Sequence, residues 1–97
     1  MAKLAIIATI EVTPGRRADL VPVLMVHRQR SLKEEPGTLQ FEVLLPHDDQ
    51  TKVLLYELYR DAAAFEEHGN AASIARFRKE AAGMFEKISG TRCALSE

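Results

Sequence analysis

The stretch that decides the fold runs from residue 35 to residue 59 and reads EPGTLQFEVLLPHDDQTKVLLYELY. Residues 38–45 alternate between apolar and polar side chains, which is typical of a strand with one buried face. Residues 46–50 are rich in side chains that satisfy their own backbone in turns. Residues 52–59 are apolar and aromatic, so the whole stretch predicts a β-hairpin. In its first strand, one face is expected to carry Leu39, Phe41 and Val43, and the other Gln40 and Glu42.

The residues before this hairpin predict a strand and a long helix. Residues 3–12 are mostly apolar on both parities, which suits a central strand covered on both faces. Thr13 is expected to cap a helix whose first position is Pro14. Pro22 is expected to bend that helix, because proline removes a backbone hydrogen bond. Side chains at helical spacing form its apolar stripe, namely Leu20, Leu24, His27 and Ser31.

The residues after the hairpin predict two helices and a last strand. Asp61 is expected to cap a helix over residues 62–68, which Gly69-Asn70 ends. A second helix is expected over residues 73–84, followed by a weak strand over residues 85–95.

The element order β-α-β-β-α-α-β predicts an α+β, ferredoxin-like fold as a single domain over residues 1–97. Such a fold has an antiparallel four-stranded sheet with helices on one face only. The other face, rich in isoleucine, valine and leucine, would be an exposed apolar patch in a monomer. We therefore expect a homodimer that forms through the sheet face.

The composition excludes several classes of function. The chain has 13 Lys and Arg against 14 Asp and Glu, so it lacks the basic field that binding nucleic acid or a membrane surface requires. Its apolar N-terminal stretch has no signal cleavage site, and no apolar run approaches the ~20 residues that span a bilayer. We expect a cytoplasmic protein. A single cysteine, Cys93, excludes an intramolecular disulfide, and no metal-ligand spacing occurs.

Several polar residues are candidates for chemistry. Glu57 interrupts an apolar strand, so its carboxyl group must be proton-active or bonded to a tyrosine, an arginine or the backbone. His27 lies on the apolar stripe, where it either faces a cleft or packs between helix and sheet. His68 ends a short helix, where a capping role and a functional role are both open. Three arginines form a solvated face or clamp an anionic ligand, namely Arg76, Arg78 and Arg92.

Three segments together resemble the antibiotic biosynthesis monooxygenase domain family. They are the acidic-Pro-Gly motif Glu35-Pro36-Gly37, the apolar run that contains Tyr56-Glu57, and the stretch from Asp61 through Ala64-Phe65 to His68. The resemblance implies a dimeric α+β barrel, in which two ferredoxin-like subunits pack sheet against sheet. It also implies a small-molecule cleft between the sheet and the helices of each subunit.

Departures from the family pattern narrow the expected chemistry. Haem-degrading members carry an Asn, a Trp and an iron-binding His at positions that correspond to Ala8, His68 and Arg78 here, which argues against haem degradation. Many monooxygenase-like members carry a second histidine where this chain has Ser73. The first histidine of that pattern is retained as His68.

The resemblance implies a cofactor-independent monooxygenase that acts on a small quinol, phenol or polyketide-like aromatic. His68 would be the base or hydrogen-bond partner, and Glu57 would orient or polarise the substrate. Two alternatives stay open: an isomerase that uses the same two residues, favoured if Arg78 faces the cleft, and a non-catalytic dimer that binds a metabolite. The residues expected to contact the substrate are Leu24, His27, Phe41, Phe65, Phe77 and Arg78.

Overall fold

A computed structural model describes residues 2–97, and its elements follow the predicted order. The strands form one antiparallel sheet in the order β2-β3-β1-β4. Among residues 2–97, none of the helices combines the length and the apolar character that crossing a membrane requires. The ferredoxin-like α+β prediction is confirmed. The elements are β1 (Leu4–Val12), α1 (Arg17–Glu34), β2 (Thr38–Leu44), β3 (Lys52–Tyr59), α2 (Ala62–Asn70), α3 (Ala72–Glu80) and β4 (Phe85–Ala94).

A tight turn follows β1 where the sequence predicted a capped helix start. The Arg16 backbone N–H donates to the Thr13 carbonyl over 2.9 Å, and Gly15 has a φ of +78°. This is a type II turn, with Pro14 and Gly15 at its two central positions. The prediction that Thr13 caps the helix and Pro14 opens it is wrong, because α1 begins at Arg17 and has no side-chain cap.

Pro22 lies inside α1 and does not interrupt it. The helix is continuous from Arg17 to Glu34, and the bend expected at Pro22 stays a prediction. Pro22 sits in the second turn, where its missing N–H leaves only the Ala18 carbonyl without its helical partner. The predicted apolar stripe is confirmed, since the buried residues of α1 are Leu20, Leu24, His27 and Ser31.

The helices cover only the inner face of the sheet. Ile6, Ala8 and Ile10 of β1 are each at most 5% exposed on that face. Ile7, on the opposite face, is 48% exposed. The prediction that β1 is covered on both faces is therefore wrong for a single chain. The apolar side chains of the outer face are isoleucine, leucine and tyrosine. The valines expected there belong to the inner face, where Val53 pairs with Ile10 and is fully buried.

The prediction that Leu39 shares a face with Phe41 and Val43 is wrong, because β2 contains a β-bulge. Thr38 and Gln40 pair with consecutive residues of β3, which leaves Leu39 as the extra residue. Leu39 is 44% exposed, whereas Phe41 is 1% exposed. The predicted alternation resumes after the bulge, because Phe41 and Val43 pair with buried residues of β3.

The ends of the C-terminal elements differ slightly from the prediction. Asp61 caps α2 as expected, with its side chain accepting from the Ala64 backbone N–H over 2.9 Å. The helix continues to Asn70, and α3 ends at Glu80, where Gly83 with a φ of +80° closes the turn into β4. As an edge strand, β4 pairs with β1, and the helices leave it almost uncovered.

Gly37, the residue before β2, packs closely against Ala64 of α2. A Cβ atom at this position would overlap the Ala64 Cβ, and the Arg60 backbone N–H ties the Gly37 carbonyl in place over 2.9 Å. We expect Gly37→Ala to lower the free energy of unfolding by about 2 kcal/mol, measured by urea denaturation. Gly69→Ala is the control, because a Cβ there meets nothing within 4 Å. Equal stability of Gly37→Ala and the wild type would contradict this packing.

Candidate active site

A cavity of about 380 Å³ lies between the inner face of the sheet and the helices. Most of its wall is apolar, and every helix and strand contributes to it. All the residues predicted for the site border this one cavity, namely Leu24, His27, Phe41, Glu57, Phe65, His68, Phe77 and Arg78. The structure thus brings the candidates together, and their roles in binding or catalysis stay predictions.

A buried carboxylate that the sequence analysis did not single out holds His68. The Nδ1 atom of His68 lies 2.6 Å from Oε1 of Glu35. His68 is 5% exposed and Glu35 is 8% exposed, so water hardly competes for this contact. Since a carboxylate only accepts, Nδ1 carries the hydrogen and donates it. In the neutral ring, Nε2 is then the acceptor that remains available to the cavity.

Two hydroxyl groups fix the carboxylate beneath His68. Oε1 of Glu35 also accepts from Oγ1 of Thr38 over 3.1 Å, and Oε2 accepts from Oγ of Ser73. Counting His68, three donors surround Glu35, which satisfies a buried carboxylate without a cation. The signal that could have found Glu35 is its place in the acidic-Pro-Gly motif, at the end of α1.

Ser73 belongs to this network and does not border the cavity. Its side chain is 1% exposed and donates to Glu35. The position that the resemblance assigns to a second histidine therefore supports the carboxylate behind His68. The pair of His68 and Glu35 is complete without a second histidine at this position.

Glu57 lies on the inner face of β3, where it borders the cavity and is 6% exposed. Tyr59, two residues along the same face, donates its hydroxyl hydrogen to Oε1 of Glu57. Of the partners left open by the sequence, the tyrosine is the one observed. Burial raises the pKa of the Glu57 carboxyl group, and the Tyr59 hydrogen bond opposes this rise. Burial also raises the pKa of Tyr59 far above its ordinary value, so Tyr59 stays a donor.

His27 is packed among aromatic rings in the wall of the cavity. Its ring centroid lies 4.8 Å from that of Phe77 and 5.4 Å from that of His68, and the residue is 2% exposed. Burial, helped by the nearby His68, lowers the pKa of His27 to about 4. His27 is therefore neutral at pH 7. It both packs between helix and sheet and faces the cleft.

The lowered pKa of His27 predicts a loss of stability in acid. The unfolded chain binds a proton near pH 6.5 and the folded chain only near pH 4, so stability present above pH 6.5 is lost as the pH falls towards 4. The loss attributable to His27 is at most about 3 kcal/mol. His27→Phe keeps a ring without this titration, and its free energy of unfolding should fall less between pH 7 and pH 4.5 in urea experiments. An equal fall in both proteins would refute this account.

The exposed members of the lining mark where the cavity opens. They are Gly69, Arg78, Ile88 and Gly90, so the opening lies between the ends of α2 and α3 and the uncovered strand β4. Among residues 2–97, no group of three or more His, Cys, Asp or Glu side chains is arranged to hold a metal ion.

Comparison with known proteins gives one family. The family model described as antibiotic biosynthesis monooxygenase matches residues 4–80. No functionally curated protein matches the chain in sequence.

Solved structures of similar chains share this fold along almost their whole length. PA3566 from Pseudomonas aeruginosa is 26% identical and has a TM-score of 0.88, with 100% of this chain and 97% of that chain covered. A candidate antibiotic biosynthesis monooxygenase of Caulobacter crescentus has a TM-score of 0.92 at 18% identity, with coverages of 99% and 92%. Rv0793 from Mycobacterium tuberculosis has a TM-score of 0.85 at 21% identity, with coverages of 99% and 97%.

Proposed function

The chain belongs to the antibiotic biosynthesis monooxygenase family, and on that premise we propose that it is a cofactor-independent monooxygenase for a small phenol, quinol or polyketide-like aromatic. The observation that carries the proposal is that His68 borders an apolar cavity and is held from behind by Glu35. Direct reaction of such a substrate with dioxygen needs a positioned base and a site that excludes water. The apolar wall of the cavity and a histidine oriented by a buried carboxylate support the proposal on both points.

His68 is the proposed base. Its Nε2 accepts the proton of the substrate hydroxyl group, and the ring becomes an imidazolium. Glu35 accepts the hydrogen bond from Nδ1, which fixes the ring orientation and stabilises the imidazolium once it forms. Thr38 and Ser73 act through Glu35, so they are positioning residues.

The oxygen step balances with dioxygen as the only co-reactant. The phenolate gives one electron to dioxygen, and the two radicals combine to form a C–O bond at a ring carbon that carries hydrogen. His68 returns its proton to the peroxide. That ring carbon then loses its hydrogen as a proton while the O–O bond breaks, so a carbonyl group forms and hydroxide leaves. Hydroxide and proton give water; the substrate loses four electrons and dioxygen gains them.

Glu57 is the second polar group that the substrate would meet. Oε1 of Glu57 is occupied by Tyr59, which leaves Oε2 for the ligand. We assign it the role of orienting a second oxygen of the substrate. The apolar residues Leu24, Phe41, Phe65 and Phe77 would hold the aromatic ring between these two polar groups.

A second candidate function is an isomerase that moves a proton between two positions of a polar substrate. The observation that favours it is Arg78, which borders the cavity as a cation. The isomerase would turn over its substrate without oxygen. A non-catalytic dimer that only binds a metabolite would instead show stabilisation by the ligand, of size RT ln(1 + [L]/Kd), with no turnover.

Turnover of 1-naphthol by metal-free protein separates these functions. The monooxygenase should form 1,4-naphthoquinone in air, detected by its absorbance, and none under argon. Arg76→Ala is the control variant, since Arg76 is exposed on α3, pairs with Glu34 over 3.7 Å and does not border the cavity. Its rate should equal that of the wild type. The absence of quinone in air, with 1-naphthol shown to bind, would reject the oxygenase.

We also propose that the outer sheet face forms a homodimer. Ile7 and Leu44 on that face are 48% and 47% exposed, and an apolar patch of this kind is typical of an interface between subunits. Ile7→Glu should weaken the dimer at least ~100-fold, measured by light scattering after gel filtration. Val26→Glu is the control, because Val26 is 42% exposed on α1, away from the sheet. A dimer unaffected by Ile7→Glu would place the interface elsewhere.

A further inference from the structure

The opening of the cavity carries positive charge. Arg78 is exposed at the opening, and among residues 2–97 it forms no ion pair. Two residues away on α3, Arg76 has a carboxylate partner in Glu34. Of the residues that border the cavity, only Glu57 is acidic, and it is bonded to Tyr59.

Arg92 places a second cation beside a residue of the cavity wall. It pairs with Ile6 across β1 and β4, and residues paired in this way point to the same face of a sheet. Since Ile6 borders the cavity, Arg92 lies on the inner face, where the helices leave β4 uncovered. Its guanidinium carbon lies 5.2 Å from the ring centroid of Phe65, another residue of the cavity wall. Stacking on that ring holds the guanidinium beside the cavity wall.

We propose that Arg78 and Arg92 bind an anionic group carried by the aromatic substrate, of which a carboxylate is the simplest. The proposal rests on the proposed function, because it takes the ring to lie in the apolar cavity with its hydroxyl group towards His68. The anionic group then projects through the opening between α3 and β4. Guanidinium groups pair with carboxylates through two parallel hydrogen bonds, which suits this role better than a lysine would. The proposed substrate is therefore a hydroxylated aromatic acid.

The arginines also explain how an apolar cavity selects its ligand. An apolar wall accepts any ring of suitable size and discriminates weakly between them. Two cations at the opening favour a ring with an anionic group on the side away from the hydroxyl. Because both arginines are near solvent, the preference should weaken as salt is added.

A matched pair of ligands tests the proposal. 5-Hydroxy-2-naphthoate is 1-naphthol with one added carboxylate on the ring that lacks the hydroxyl. Dissociation constants are measured by calorimetry under argon at pH 7.5, so that binding is read without turnover. We expect the wild type to bind the carboxylate at least ~10-fold more tightly, which corresponds to about 1.4 kcal/mol. The preference should fall below ~3-fold in the double variant Arg78→Met and Arg92→Met, because the substitutions weaken binding of the carboxylate more than binding of 1-naphthol.

Arg76→Met is the control on the same helix and should keep the full preference. Equal affinity of the wild type for the two ligands would overturn the proposal, and so would a preference that survives in the double variant. The outcomes also separate this proposal from the proposed function. If the carboxylate binds preferentially but no oxygen is consumed, only the oxygenase fails; if oxygen is consumed but the two ligands bind equally well, only this proposal fails.

Discussion

Replacing His68 by alanine should lower the rate of oxygen-dependent turnover at least ~10²-fold. The reason is that His68 is the only residue at the cavity wall whose ring nitrogen is oriented by a buried carboxylate, through the 2.6 Å contact between Nδ1 and Oε1 of Glu35. His27 cannot replace it, because burial lowers the pKa of His27 to about 4 and makes it a weak base. The measurement is the initial rate of oxygen uptake with 1-naphthol at saturating concentration.

His68→Ala also removes a buried hydrogen-bond donor to Glu35, so a loss of stability could mimic a loss of catalysis. His68→Asn separates the two effects. Its amide nitrogen can take the place of Nδ1 and donate to Glu35, but an amide is no base. We expect His68→Asn to retain more stability than His68→Ala while being equally slow. A turnover rate close to that of the wild type in His68→Asn would reject His68 as the base.

Replacing Glu35 by glutamine should lower both stability and turnover. The amide of glutamine can accept through one oxygen only, whereas Glu35 accepts from Thr38, His68 and Ser73 through two. At least one buried donor then faces an amide nitrogen and loses its partner, which costs about 1–3 kcal/mol. Turnover should fall about 10–100-fold, because the ring of His68 loses the carboxylate that fixes its tautomer. Urea denaturation and oxygen uptake measure the two effects.

Glu34→Gln is the matched control for Glu35→Gln. Glu34 is the preceding residue, but its side chain is exposed and pairs with Arg76 over 3.7 Å. An exposed pair of this kind contributes roughly 0–1 kcal/mol, so we expect little change in stability and none in turnover. If the two variants behaved alike, the network around Glu35 would have no special role.

The order of the elements was predictable because it depends on local patterns. Period-two alternation and a turn rich in Pro and Asp identified the β2–β3 hairpin, and the spacing of Leu20, Leu24, His27 and Ser31 identified the buried side of α1. The bulge at Leu39 was not predictable, because one extra residue leaves no mark on composition or period. The predicted helix start at Thr13-Pro14-Gly15 was wrong, because the same residue types suit a helix cap and a type II turn.

The site was only partly predictable because its key contact is not local. The hairpin and the helix stripes, read together with the family resemblance, assembled the residues that border the cavity. Glu35, however, is 33 residues from His68 and 38 from Ser73, so no spacing connects them. Their contact depends on how the end of α1 packs beside α2 and α3. The acidic-Pro-Gly motif marked Glu35 as a strand opening, and only the packing shows it beneath a histidine.

The ratio of oxygen consumed to quinone formed shows whether the protein is a monooxygenase. Metal-free protein, 1-naphthol and air are combined, and an oxygen electrode and the absorbance of 1,4-naphthoquinone are read together, with and without catalase. We expect one dioxygen per quinone, no effect of catalase, and loss of both signals in His68→Asn. If catalase lowers the net oxygen uptake, hydrogen peroxide is released, and this result would contradict the monooxygenase. Quinone formation that is unchanged in His68→Asn would also contradict it.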